Sequence, residues 1–178
     1  SSRVKMLRSR RDSRSRIRKG FSVASSETRT IAVIGGTGDL GGGLARRWAL
    51  AGHNVIIGSR ATEKAQGVAD EMNKELGLTT ISGLANGDAA SAAEIVALTV
   101  PFSNQQPMLE AIQAGLNGKI LVDATVPLMP PKVGTVQLPL EGSAAVKAQN
   151  FLGEDVLVVS AFQNVGAAHL QTNHSIDC

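Results

Sequence analysis

Cysteine is all but missing from this sequence. The single one, Cys178, excludes a disulfide-built scaffold and any zinc site made of cysteines. Tyrosine is absent, and one Trp with four Phe brings the aromatics to only 3%. That leaves little to stack bases on, which argues against a platform for single-stranded nucleic acid. No apolar run approaches the roughly 20 residues needed to cross a bilayer, so no membrane partner is expected. The 19 glycines follow no triplet period, which removes collagen. The three histidines, His53, His169 and His174, lack the spacing of a zinc site, and each reads as structural or exposed. What is there is a chain of 178 residues, 43% hydrophobic, able to bury the core of one ordinary domain.

The net charge of +3 joins two unlike parts. Residues 1–29 carry eight Arg and two Lys against Asp12 and Glu27, whereas residues 30–178 carry eight basic side chains against thirteen acidic ones. The first segment is rich in serine and poor in apolar residues. It cannot offset the entropy lost on ordering, so a disordered Arg/Ser-rich tail is expected over 1–29. Three uses of such a tail stay open: an organellar leader starting near Met6, a weak and salt-dependent grip on phosphate backbones, or no function. The last is favoured, so nucleic acid is not an expected partner. The remainder is a mildly acidic domain expected in the cytoplasm.

From residue 30 short apolar runs alternate with helical patterns. TIAVI at 30–34 has the look of a strand buried on both faces. After the glycine-rich run 35–41, Leu40, Leu44 and Trp48 recur at helical spacing, with Gly52 to end the helix. Further strands are predicted at 54–57, 79–82, 94–100, 119–122 and 156–160, and helices at 61–76, 88–93, 108–114 and 142–150. Pro127, Pro130, Pro131 and Pro139 exclude a long helix in their stretch. Strands alternating with helices imply parallel pairing through right-handed crossovers. The expected fold is α/β, a doubly wound parallel sheet of order 3-2-1-4-5-6, the NAD(P)-binding Rossmann fold, over residues 30–178.

The first turn carries the chemistry. Gly36-x-Gly38-x-x-Gly41 lies between a predicted strand and a predicted helix, the context that gives this motif its mechanism. Gly36 permits the tight turn, Gly38 lets the backbone approach a pyrophosphate, and Gly41 lets the helix pack close to the strand. The helix N-terminus adds free N–H groups and positive potential. Gly42 and Gly43 cost up to about 1 kcal/mol each inside a helix, and suggest a second close approach there, by cofactor or partner. An NAD-preferring site places a carboxylate about 20 residues past the motif for the ribose 2′-hydroxyl. Here the second strand runs into Gly58, Ser59 and Arg60, with no acid before Glu63. Ser59 can donate to a 2′-phosphate, Arg60 can pair with it bidentately, and Lys64 adds a cation one turn on. NADP is therefore expected over NAD; the competing reading pairs Arg60 and Lys64 with Glu63 or Asp70.

Without tyrosine there is no Tyr-x-x-x-Lys proton relay, and neither GxSxG nor GxxxxGK[ST] occurs. Acid–base catalysis has no obvious carrier, and hydride passing directly between two aligned cofactor rings needs none. IAVIGGTGDLGGGLA, VIIGSRATEKA, LTVPF, KILVDATVPL and VVSAFQNVGAAHL together resemble the NADPH-dependent coenzyme F420 reductases, or F420H2:NADP oxidoreductases, from about Ile31 to Cys178. GGTGxLG with GSRxxEKA is shared with the NADP domains of metalloreductases. The resemblance implies hydride transfer between NADP(H) and the deazaflavin F420 as co-substrate. It implies that Thr37, Gly38, Asp39 and Leu40 line the pyrophosphate and that Ser59, Arg60 and Lys64 take the 2′-phosphate. Pro101, Phe102 and Asn104 would lie near the cofactor. Val126, Pro127, Gln163, Asn164, Val165 and Gly166 would face the nicotinamide–deazaflavin contact, with Ala167 on the cofactor side. Gln163 stands where many members have histidine. Against the family pattern the chain is expected to lack a last strand and terminal helices, through which a homodimer forms. Other readings are an NADP-dependent reductase of a flavin, a metal chelate or an imine, and a non-catalytic NADP-binding module.

Overall fold

Strand β1 (Thr30–Ile34) is apolar throughout because both of its faces are covered, as a central parallel strand requires. In the computed structural model, which describes residues 27–128, 130–131, 134–172 and 174, it lies at the middle of a six-stranded sheet. The expected tail falls almost wholly outside the described residues, as does Cys178. Arg29 is already part of the body: its side chain pairs with Glu27 and Glu94, and its amide donates to His53 Nδ1, a structural role for that histidine. Helix α1 (Asp39–Leu50) leads to β2 (Asn54–Ser59), α2 (Thr62–Leu76) to β3 (Ile81–Ala85), and α3 (Asn86–Ala92) to β4 (Ile95–Leu98). Helix α4 (Gln105–Ile112) precedes β5 (Ile120–Asp123), and α5 (Ala144–Leu152) precedes β6 (Leu157–Ser160) and α6 (Ala167–Leu170). The order is β3-β2-β1-β4-β5-β6 with every pairing parallel, as expected from the alternating pattern.

Alternate residues of the strands feed two cores. Ala32, Ile34, Ile56, Val96 and Leu98 pack with Leu109, Ile112 and Ala148 beneath α3, α4 and α5. Val33, Val55 and Ile57 pack with Ala45, Ala49, Ala65 and Ala69 beneath α1 and α2. On this second face the outer strands stay open: Ile120, Leu157 and Val159 are 36%, 63% and 46% exposed.

Several boundaries shift from the sequence expectation. The third strand begins at Ile81, not 79, and runs on to Ala85 through Gly83. Its start is fixed by Asn73 of α2, whose carboxamide donates to the Ile81 carbonyl and accepts from the Ile81 amide (2.7 and 3.2 Å). Gly83 continues the strand because α2 lies directly on it: a Cβ there would fall 2.2 Å from the Ala65 carbonyl carbon. The fourth strand is shorter than 94–100, since the Thr99 amide and hydroxyl both donate to the Ile34 carbonyl and turn the chain out of the ladder. Helix α4 starts three residues before 108, with Pro107 in its first turn where no N–H is needed.

One of the extra glycines of α1, Gly43, finds its explanation within the chain. Helix α6, absent from the sequence expectation, packs on α1, and a Cβ on Gly43 would fall 2.5 Å from the Leu170 Cβ. At Gly43 the second close approach is made by the chain's own α6, whereas a Cβ on Gly42 would meet only the Gly36 carbonyl oxygen at an ordinary 3.4 Å. Arg47 fastens α6, donating to the carbonyls of Leu170, His169 and His174 at 3.2, 3.1 and 2.8 Å. Phe162, in the left-handed region at φ 71°, meets Trp48 edge-on at 5.8 Å. Gly43→Ala gains helix propensity, up to about 1 kcal/mol, but overpacks this contact at about 1–3 kcal/mol. A net loss of stability in urea unfolding is expected; a gain would mean that α6 yields freely.

Candidate cofactor site

The site grows from the carboxyl end of β1. The chain turns back at once there, with the Gly36 amide donating to the Val33 carbonyl at 3.1 Å and the Gly38 amide to Gly35 at 3.0 Å. A Cβ on Gly36 would lie 2.8 Å from the Val33 carbonyl oxygen, and one on Gly41 would lie 2.5 Å from the Thr99 hydroxyl. Both positions therefore require glycine for close backbone approach. Helix α1 starts with Gly38 as its N-cap and no side chain capping it. Its first amides, on Asp39, Leu40 and Gly41, thus keep their hydrogen-bonding capacity for a ligand, with the helix dipole behind them.

Beside this turn opens a cleft of about 470 Å³. Thr37, Ser59, Arg60, Lys64 and Asn104 all line it, so elements far apart in sequence bring these five expected residues together. Ser59 ends β2, and its hydroxyl accepts from the Ala61 amide at 3.3 Å, which shapes the entry to α2. Arg60 and Lys64 are exposed at the start of α2, and among the described residues neither pairs with an acid; Glu63 and Asp70 leave them unpaired. The opposite wall, Val100, Pro107, Met108 and Ala111, was not foreseen. Its apolar residues on α4 read as core by sequence. Asn86, at the start of α3, was also missed: it is 8% exposed, donates to the Met108 sulfur at 3.4 Å, and leaves its carboxamide oxygen without a partner.

The remaining expected residues lie outside this cleft. Pro101 and Phe102 form the turn after β4, with the Lys147 ammonium 5.4 Å from the Phe102 ring centre. Val126 and Pro127 follow β5, where Pro127 accepts from the Gln137 amide at 2.8 Å. Gln163 is tied down after β6, donating to the Asp123 carbonyl and the Ser160 hydroxyl, both at 2.9 Å. Asn164 and Gly166 are exposed, Val165 is half-buried, and Ala167 opens α6. Between these loops sits Asp123, 1% exposed. Burial pushes its carboxyl above the ordinary carboxylate range, against the opposing pull of the Thr125 amide, the Thr125 hydroxyl and the Gln105 carboxamide. Among the described residues no group of His, Cys, Asp and Glu could hold a metal ion.

Residues 30–127 match the family of coenzyme F420-dependent NADP oxidoreductases. The chain belongs to that family. It is 45% identical over 155 residues to the F420-dependent NADP reductase of Methanothermobacter thermautotrophicus, covering 83% of this chain and 67% of the relative. The F420-dependent NADP reductase of Methanocaldococcus jannaschii is 41% identical over 156 residues, covering 83% of this chain and 69% of the relative. The chain thus spans about two thirds of the length of these relatives. A crystal structure of an Arthrobacter sp. FB24 protein, assigned as an F420-dependent NADP reductase, superimposes with a TM-score of 0.64 at 26% identity. It covers 80% of this chain and 65% of that one. The six-stranded parallel sheet flanked by helices is the α/β dinucleotide-binding fold expected from the sequence.

Proposed function

We propose that this F420-dependent NADP oxidoreductase chain holds NADP(H) along the β1 turn and the adjoining cleft, and passes hydride to or from F420 beyond the ends of β5 and β6. The observation that carries the reading is the cleft itself. It adjoins a helix N-terminus without a side-chain cap and has two unpaired cations, Arg60 and Lys64, at its mouth. The donor set fits a phosphorylated dinucleotide: backbone amides of Asp39, Leu40 and Gly41 for the pyrophosphate, and Ser59, Arg60 and Lys64 for the 2′-phosphate. The half-apolar wall of Val100, Pro107 and Met108 flanks the purine.

NADP(H), when bound, supplies or accepts the hydride. The chain's own part is to bind and orient: the loops carrying Val126, Pro127 and Gln163 to Gly166 would hold the deazaflavin against the nicotinamide. No general acid or base is needed for a direct hydride shift. A cytoplasmic location is part of this reading; among the described residues no helix is long and apolar enough to cross a membrane. A homodimer belongs to this reading only for a chain that carries the family's last strand and terminal helices; the open apolar stripe of Ile120, Leu157 and Val159 is the surface such an addition would cover, and sedimentation equilibrium with and without it checks this.

The test mixes the chain with NADPH and oxidised F420 and follows the deazaflavin absorbance. The expected result is bleaching that saturates in both ligands. NADPH binding without bleaching would move the reading to another acceptor or to a cofactor-binding module. A folded sample that fails to bind NADPH would overturn it.

A further inference from the structure

A second polar cluster lies at the carboxyl end of β5, and the cofactor cleft does not include it. Gln105, Asp123 and Thr125 are 0%, 1% and 3% exposed. The Gln105 carboxamide nitrogen lies 2.7 Å from Asp123 Oδ2, 3.1 Å from the Thr125 hydroxyl and 3.1 Å from the Ala144 carbonyl. Asp123 Oδ1 accepts from the Thr125 amide at 2.9 Å. The Asp123 carbonyl accepts from Gln163 Nε2 at 2.9 Å and from the Ala161 amide at 3.2 Å. Asp123 therefore joins the first residue of α4 and the loop after β5 through its carboxyl and the loop after β6 through its backbone carbonyl, while Gln105 extends the cluster to the first residue of α5.

We infer that Asp123 is a positioning residue for hydride transfer: its buried carboxyl, through Gln105 and Thr125, holds the loop after β4, the loop after β5 and the start of α5 in one arrangement. The inference rests on the functional reading above, which sets the nicotinamide–deazaflavin contact among these loops. The physical ground is the lack of a counter-ion. A buried carboxylate is costly unless a cation or a full set of donors meets it, and every group bonded to this one is neutral. The charged groups on the packed elements are engaged elsewhere or lie at the far end. Glu110 on α4 accepts from Gln106, and Lys147 on α5 lies over Phe102. Glu94 before β4 pairs with Arg29, and Lys119 before β5 donates to the Ala90 and Ser91 carbonyls. Glu154 and Asp155 precede β6 at its opposite end. The Thr125 hydroxyl, near both carboxyl and carboxamide, can turn from donor to acceptor when the carboxyl carries a proton.

The sign follows from the direction of the shift. A carboxyl raised on folding contributes stability that is complete at low pH and is lost as pH rises through its folded value. Urea unfolding of the cofactor-free chain should therefore show a decline in stability with rising pH that Asp123→Asn removes. In turnover, Asp123→Asn, which keeps most of the shape and hydrogen bonding, should lower kcat less than Asp123→Ala, which should lower it about tenfold to a hundredfold. KM for NADPH should change less than about twofold in both, since the 2′-phosphate contacts are untouched. Thr125→Val removes a bond that favours the ionised form, so it should move the decline in stability to higher pH. Asp123→Asn with the wild-type pH profile in unfolding would overturn the inference, and so would Asp123→Ala with wild-type kcat. If Asp123→Ala does not fold, the Asn and Val variants decide. If the wild type fails to bind NADPH, the functional reading falls on its own, while the unfolding comparison still tests the carboxyl.

Discussion

Replacing Arg60 by Glu should weaken NADPH binding by about 2–4 kcal/mol, roughly thirty- to several-hundred-fold, and leave NADH binding little changed. The magnitude joins two effects of the same sign. A charge-assisted hydrogen bond to the 2′-phosphate is lost, and a carboxylate is set beside a dianion. NADH has a hydroxyl at that position and feels neither strongly. Arg60 is exposed and makes no ion pair among the described residues, so its removal should leave the fold intact and the effect should be a binding effect. Fluorescence titration of both nucleotides checks it. Equal loss for NADPH and NADH would point to unfolding, and unchanged NADPH affinity would move the 2′-phosphate away from Ser59, Arg60 and Lys64.

The largest stability effect should come from a residue with no part in binding. In Gly83→Ala the new methyl would lie 2.2 Å from the Ala65 carbonyl carbon, 2.3 Å from the Gln66 nitrogen and 2.4 Å from the Ala65 oxygen. All three are backbone atoms, so no side chain can swing away, and α2 must lift from β3. A cost of about 3 kcal/mol or more is expected, at the upper end for overpacking and a large share of the roughly 5–15 kcal/mol that holds a domain folded. Because Arg60 and Lys64 sit at the start of α2, NADPH affinity should fall as well. A urea midpoint close to wild type would refute this close seating of α2 on β3.

Gly83 also illustrates what the sequence conceals. The strand order was legible because β1, β2, β4, β5 and β6 are apolar runs separated by helical spacing, and parallel sheets leave few other topologies. The third strand was expected at 79–82, stopping before Gly83, and a glycine inside a strand pattern reads locally as a break. Gly83 is instead the point where a helix backbone meets the sheet, a fact about packing and not about propensity. The site divides in the same way. Thr37, Ser59, Arg60 and Lys64 announce themselves because glycine spacing and misplaced charge are local signals. Asn86 and Met108 do not, since each becomes part of the cleft only when α3 and α4 are brought alongside β2. Their sole sequence mark is that Asn86 directly follows a strand at its carboxyl end, where open α/β sheets bind ligands. Helix α6 is too short to have any period of its own, and Gly43 of α1 was its only trace.

The pairing of β1 with β4 joins Ile31 to Ile95, the widest sequence gap between any two neighbouring strands of the sheet. The cleft straddles that seam, with Gly35 and Ser59 on one side and Val100 and Met108 on the other. Loop closure over such a gap is among the slower and entropically dearer events in assembling the fold, and no cleft exists before it. A nucleotide bound there holds the two halves of the chain together, contributing about 2.7 kcal/mol when present at a hundred times its dissociation constant. The lifetime of the folded protein in the cell should therefore follow the size of the NADP(H) pool, with starved cells clearing the enzyme by proteolysis of its opened form.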